Sequence, residues 1–248
     1  MSVLGRSPCD TDAPVHPGAP VLAPLAQRYC SAPGVIPPEA DGVVWAMPVV
    51  LRIERDAPRR TPLLEAAAEA ALAVCLDPRS QPGGEWYDDV STWINGRIRK
   101  IARRARGRHW QVVQDLPGIT VDEDGAQVRA LVPGPVNAVP KIVSRLQIEG
   151  TDLPPDSPPP PPPGVPVIWL NPSVEMTVGK AAAQVGHASM LWAAVRGVSE
   201  VPHFAVRTAD VPGWTALCDA VERGEAVAVR DAGFTEVEPG TITCVAIG

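Results

Sequence analysis

Apolar positions along this chain come in blocks that switch between a helical period and the period of a strand. From Val43 the run VVWAMPVVLRI is apolar and β-branched, which predicts a strand. Pro48 inside it points to an edge strand or a bulge. Residues 61–76, TPLLEAAAEAALAVCL, predict a helix with Thr61 as N-cap, Pro62 at the first helical position and Glu65 in the first turn. Residues 78–84 read as a loop. Residues 90–106 predict a second helix, ended by Gly107. WQVVQ (110–114) and AQVRALV (126–132) predict strands around a turn at Asp122–Gly125.

The pattern is cleaner beyond residue 165. VPVIWL (165–170) predicts a strand, and Thr177 to about Val195 a helix. HFAVR (203–207) predicts a strand, and Asp210–Arg223 a helix capped by Asp210 and stopped by Gly224. EAVAVRD (225–231) and TITCVAIG (241–248) predict strands. The order strand-helix-strand-helix-strand-strand is an α/β pattern.

Proline changes this picture. The 248 residues include 30 prolines, against roughly 12 for average usage. Residues 1–40 hold 8 of them and residues 154–166 hold 9. The first stretch, rich in Pro, Ala and Gly without periodicity, reads as a disordered tail. The second, PPDSPPPPPPGVP, reads as polyproline II, a stiff spacer of about 3 Å per residue. Four segments follow: a tail over 1–40, an α/β unit over 41–153, a linker over 154–164 and a second α/β unit over 165–248.

No stretch of about 20 residues, the length that spans a bilayer, is free of charge or proline. The start MSVLGRSPCDTDAP has no long apolar core, so no secretory leader is expected and the chain reads as cytoplasmic. Five cysteines without CxxC spacing argue against a disulfide framework and a zinc site. Cys75 and Cys244 read as small core hydrophobes. Net charge is −6, which taken whole disfavours a nucleic-acid partner. The distribution differs. Residues 97–108, RIRKIARRARGR, carry seven Lys/Arg and no acid, whereas residues 165–248 carry five Lys/Arg and nine Asp/Glu.

The two units on either side of the proline run resemble each other. Asp115-Leu-Pro-Gly-Ile-Thr120 through Gly125 precedes AQVRALV, and Asp231-Ala-Gly-Phe-Thr235 through Gly240 precedes TITCVAI. Upstream, Glu65-Ala-Ala-Ala-Glu69 matches Lys180-Ala-Ala-Ala-Gln184 without a gap, and Leu72 stands where His187 stands. HFAVR has no visible counterpart in the first unit.

Lys180, Gln184 and His187 lie at i, i+4 and i+7, on one helical face. The residues between them are small. A lysine in the first turn opposes the helix dipole, a placement that often serves an anionic ligand, toward which the free N–H groups also point; the alternative is a solvated polar face with a satisfied histidine. Asp231 ends a strand and Thr235 follows in a Gly-containing turn, the place where α/β proteins carry reactive groups. His203 and His109 read as structural. There is no GxSxG, P-loop or HExxH.

Met176-Thr-Val-Gly-Lys-Ala-Ala-Ala-Gln-Val-Gly-His-Ala188, Asp231-Ala-Gly-Phe-Thr235 and the terminal Val245-Ala-Ile-Gly248 resemble the type 2 peptidyl-tRNA hydrolase family. The resemblance covers residues 165–248. It implies a three-layer α/β/α sandwich on a small mixed sheet. It implies hydrolysis of the ester joining a peptide to tRNA, without metal or organic cofactor. Carried over position by position, Lys180, His187, Asp231 and Thr235 are the catalytic residues, with Gly179 and Gln184 contacting substrate. His187 or Asp231 would orient or deprotonate water, and Lys180 would stabilise the oxyanion or hold the terminal ribose-phosphate. Three features depart from the family pattern: Gly186 replaces the usual polar residue before the histidine, VSEVPHFAVR replaces a Gly-Gln segment, and the terminal Pro is missing.

On this reading the first unit is a degenerate copy, with Glu65 for Lys180, Glu69 for Gln184 and Leu72 for His187. An anion in place of a cation cannot serve the same anionic substrate, so one active site per chain is expected. The copy would make a pseudo-dimer within the chain, or the chain would form a homodimer. Because residues 165–248 are net acidic, phosphate contacts fall to the basic run, with Arg99, Arg103 and Arg106 on one helical face as the expected tRNA contacts. The alternative is a non-catalytic tRNA- or RNA-binding module, resting on the same basic run with Trp93 and Trp110 nearby. A protein-interaction module using the proline run is a third reading.

Overall fold

The structure is a computed structural model that describes residues 18–31, 37, 42–148, 152–231 and 238–248. Among these residues it contains seven α-helices and nine strands, a mixed α/β protein with two sheets. In the first half these are α1 (Ala23–Ser31), β1 (Trp45–Arg52), α2 (Arg60–Leu76), α3 (Tyr87–Asn95) and β2 (Arg99–Ala105). Then come α4 (Gly107–Val113), β3 (Gly118–Glu123), β4 (Ala126–Leu131), β5 (Gly134–Pro135) and α5 (Lys141–Ser144). In the second half they are β6 (Val167–Leu170), α6 (Val178–Arg196), β7 (Ala205–Thr208), α7 (Val211–Glu222), β8 (Val227–Arg230) and β9 (Ile242–Ile247).

The first sheet has the order β2-β1-β4-β3, with short β5 also on β1, and the second the order β7-β6-β9-β8. Pairing senses match: β1 is parallel to β2 and antiparallel to β4, as β6 is to β7 and β9. The last two strands of each half pair antiparallel. In this order β2 takes the place of β7, so the strand without a visible counterpart has one.

That strand corrects two elements. The segment expected as one helix over 90–106 is a helix only to Asn95; the basic run from Arg99 is β2. Seven residues pair in register with β1, from Ala46 opposite Arg99 to Arg52 opposite Ala105, and parallel pairing overrides local helix propensity. Its cations suit an edge strand, where charge discourages pairing with other chains. In WQVVQ, Trp110 to Val113 end helix α4, and Trp110 and Val113 pack with Val50, Ala105 and Leu131. The hairpin partner of AQVRALV is β3, and the turn residues Asp124 and Gly125 both have positive φ, at 48° and 79°.

Pro48 lies in a central strand rather than at an edge. It falls between Ala46, which pairs with β5, and Val49, which pairs with β4. The missing N–H therefore sits at a break in the antiparallel ladder.

Helices α2 and α6 pack on each other, and each touches strands of both sheets. Their seam is made of small residues: Ala68 and Ala71 on α2 face Gly186 and Ser189 on α6. A Cβ on Gly186 would meet the Ala71 Cβ at 3.1 Å, and Ser189 Oγ donates to the Ala68 carbonyl at 2.7 Å. The small residues of α6 thus admit the close approach of another helix.

The proline-rich segment does more than span a gap. Asp152 Oδ1 accepts from Val178 N at the start of α6 (3.2 Å), and Asp156 Oδ2 accepts from Thr61 N at the start of α2 (3.0 Å). Asp156, not Thr61, is therefore the side-chain cap of α2. Pro159 O accepts from Arg207 Nε on edge strand β7 at 2.8 Å.

Within the stretch expected as a disordered tail, residues 18–31 form a 3-10 turn and α1, burying Val21, Leu22 and Leu25. Tyr29 Oη accepts from Ala228 N of edge strand β8 at 2.9 Å. The rest of that tail lies largely outside the described residues. Cys30 is disulfide-bonded, contrary to the reading of the cysteine count, whereas Cys75, Cys218 and Cys244 are free. Among the described residues no helix is long and apolar enough to cross a membrane.

Candidate active site

Thr177 caps α6, its Oγ1 accepting from Lys180 N at 3.2 Å. The helical period then brings Lys180, Gln184 and His187 to one face. Lys180 and Gln184 meet Asp231, which follows β8. Lys180 Nζ is ion-paired to Asp231 Oδ2, and Gln184 Nε2 donates to the same oxygen at 2.8 Å. Thr243 Oγ1 on β9 donates to Gln184 Oε1 at 2.7 Å, which fixes the amide's orientation. Backbone bonds hold Asp231 from both sides: its N–H donates to Thr241 O at 2.9 Å, and Gly240 N donates to its carbonyl at 2.8 Å.

The pair is withdrawn from water, with side-chain exposures of 11% for Lys180 and 4% for Asp231. A charge pair in this setting interacts more strongly than in bulk water. It also places a fixed cation and a fixed carboxylate side by side on rigid elements. Such a pair can polarise a carbonyl and orient a water.

His187 points the other way, into the first half. Its Nδ1 lies 3.1 Å from Lys100 Nζ on β2. Burial, then the Lys100 cation, then Lys180 hold His187 well below the usual histidine range, so the ring is neutral near pH 7. Burial also pulls Lys100 down to about 7. Its ammonium lies 5.1 Å from the centre of the Trp93 ring, within cation–π range.

The structure thus brings together Lys180, Gln184 and Asp231, and sets His187 of the same helix against Lys100. Gly179 sits in the first turn of α6, where a Cβ would meet the Ala102 side chain of β2 at 3.4 Å. Thr235 lies outside the described residues. Lys100 and Thr243 belong to the cluster, and sequence reasoning singles out neither. Thr243 carries no motif. Lys100 is hidden inside a run that reads as a basic helix.

The expected phosphate contacts sit on a strand, with Arg99 and Arg103 on one of its faces and Arg106 beyond its end. Arg103 is buried, 8% exposed, and donates to the carbonyls of Ser144 (3.3 Å) and Leu146 (3.2 Å). It is a structural residue, not an open phosphate contact. Arg99 is half-buried on β2, and Arg106 is exposed just beyond it.

The acids of the first half have their own work. Glu65 Oε1 accepts from Val206 N (3.1 Å) and Arg207 Nη1 (2.8 Å). Glu69 Oε1 accepts from Phe204 N (2.9 Å) and lies 3.0 Å from His203 Nδ1. Where Lys180 and Gln184 face Asp231, Glu65 and Glu69 hold β7 and the residue before it. Leu72 is fully buried. His203 Nδ1 also lies 3.5 Å from Glu123 Oε2.

Glu69 carries a pH signature. Burial first, then the Glu123 and Glu65 carboxylates, raise it from 4.5 to about 8. Between these values the folded chain holds a proton that the unfolded chain releases, so stability falls as pH rises through that window. Gln mimics the protonated acid and keeps an acceptor for Phe204 N. Glu69→Gln is expected to match the wild type near about pH 5 and exceed it at about pH 8 by on the order of 2 kcal/mol. Urea unfolding at both pH values measures this; an equal difference at each would contradict it.

No protein-family model matches the chain. No solved structure matches it significantly. A peptidyl-tRNA hydrolase of Haloquadratum walsbyi is 35% identical over 85 residues, an alignment covering 30% of this chain and 76% of that relative. With identity at that level over three quarters of the relative, this chain belongs to the peptidyl-tRNA hydrolase family.

Proposed function

We propose that the chain hydrolyses the ester bond of peptidyl-tRNA, releasing peptide and free tRNA, at one site on the second half. The observation that carries this reading is the buried Lys180–Asp231 pair, braced by Gln184 on the helix face that bears His187. Lys180 stabilises the oxyanion as water adds to the ester carbonyl. Asp231 orients that water, and His187, a neutral ring, donates a hydrogen bond. The carbon–ribose oxygen bond then breaks, and the water proton ends on the ribose hydroxyl. Gly179, in the first turn of α6, lets the substrate approach the helix start, and Thr235 contributes its hydroxyl. Side chains alone run this reaction, with no metal or organic cofactor.

The matching strand orders support a duplication in which residues 41–153 are a copy that lost catalysis and act as a built-in partner for residues 165–248. Each unit is then an α/β/α layered unit, joined by residues 154–164. The work is cytoplasmic, in translation. The purified protein releasing labelled peptide from peptidyl-tRNA tests the activity.

The tRNA is held in part by the first half. Strand β2 starts beside His187 at Lys100, and Arg106 lies six residues on, about 20 Å at strand rise. Arg106 and Arg108 are both exposed there. Replacing both with Ala is expected to raise the Michaelis constant and to flatten its salt dependence, by about one log–log unit for each phosphate no longer neutralised. Turnover at saturation should be retained, because such binding is uniform through the reaction. Kinetics across a salt series measure this. An unchanged constant and slope would remove the docking role.

A further inference from the structure

We infer that Lys100 is a positioning residue of the α6 site: its Nζ donates to His187 Nδ1 and holds the ring with its proton on Nε2. The two nitrogens are 3.1 Å apart. The role in turnover rests on the hydrolase reading; the hydrogen bond does not.

Lys100 reaches the ring because position 186 is glycine. A Cβ there would come within 3.1 Å of Lys100 Cδ and Cε, and within 3.1 Å of the Ala71 Cβ. The departure from the family pattern at this position therefore has a physical counterpart: the space of a side chain is taken by a lysine from the other half.

Among the described residues, the groups around the ammonium leave His187 as its strong acceptor. Trp93 on α3 offers a ring face. Cys75 on α2 and Cys244 on β9 are held as neutral thiols, both pushed up to about 12 by burial. Among the described residues, the other charged neighbour of the ring is Lys180, on α6 itself. Two cations beside one imidazole disfavour its protonation. A neutral imidazole that accepts at Nδ1 must carry its hydrogen on Nε2. The ring then presents an N–H, suited to the ester oxygen as negative charge develops there, and not a lone pair suited to taking a proton from water. Acceptance of that proton falls to the Asp231 side of the site. The second-half site is incomplete without the first half, which explains why a copy lacking its own catalytic residues is kept against it.

Ring-nitrogen NMR of the full chain tests this, near pH 6, below the Lys100 value of about 7. His187→Gln assigns the signal. The wild-type ring is expected neutral with hydrogen on Nε2. In Lys100→Met, which keeps the stem and removes the charge, the ring should sample both tautomers and titrate closer to the ordinary value of about 6.5. Peptidyl-tRNA turnover should fall roughly tenfold to a hundredfold with little change in the Michaelis constant. A wild-type ring protonated on Nδ1 overturns the inference, and that spectrum decides even if Lys100→Met does not fold. An unchanged ring signal in a folded Lys100→Met also overturns it, as does an altered signal with undiminished turnover. Wild-type protein with the expected ring signal and no hydrolysis would strike the hydrolase reading and leave the hydrogen bond intact.

Discussion

Lys180→Ala is expected to lower turnover on peptidyl-tRNA by about a hundredfold to a thousandfold, the cost of removing a group aimed at a developing oxyanion. The sequence alone predicts a clean kinetic defect. The structure adds a stability cost, because the lysine is the ion-pair partner of a carboxylate whose side chain is 4% exposed. Removing one member of such a pair leaves a charge buried without compensation, worth up to about 3 kcal/mol here. The two effects separate in a double-variant cycle. In an Asp231→Asn background the stability cost of Lys180→Ala should largely vanish, since no charge is left to strand. The kinetic defect should remain. If the stability coupling appears and turnover is normal in folded Lys180→Ala, the pair is only a structural brace.

The second large effect is on folding. Leu72→Ala should destabilise the chain by roughly 2–5 kcal/mol in denaturant unfolding, because Leu72 is fully buried in the α2 core. Turnover of the folded fraction should stay near wild type. Leu72 stands at the position matching His187, so this variant asks whether that place in the first half has become core. A selective kinetic loss without a stability loss would contradict a purely structural copy.

The second half is legible in sequence because its strands are short apolar runs and its helices have caps. Thr177 and Asp210 both cap the helices predicted for them, and the face bearing Lys180, Gln184 and His187 follows from spacing. The first half is less legible for physical reasons. RKIARRA is a strand because β1 pairs with it, and local propensity carries no trace of that partner. WQVVQ is short and β-branched, which reads as a strand, but Trp110 to Val113 turn helical and set Trp110 against Val50. The tail helix is short and proline-flanked, and its stability comes from burying Leu22 and Leu25. Glu65 and Glu69 read as residues of a dead site, whereas they hold the backbone of β7 and of Phe204 just before it. Lys100 joins the site through tertiary packing alone, 87 residues from His187 in sequence.

The central claim is that a single site on α6 and β8 cleaves the peptidyl-tRNA ester. The direct measurement is release of labelled peptide from peptidyl-tRNA under multiple turnover, by wild type and by Asp231→Asn, both verified as folded by their melting transitions. The account predicts many equivalents of peptide per wild-type chain and a rate lower by orders of magnitude in Asp231→Asn. Wild-type protein that binds the substrate without releasing peptide, or a folded Asp231→Asn that releases it at the wild-type rate, would contradict it.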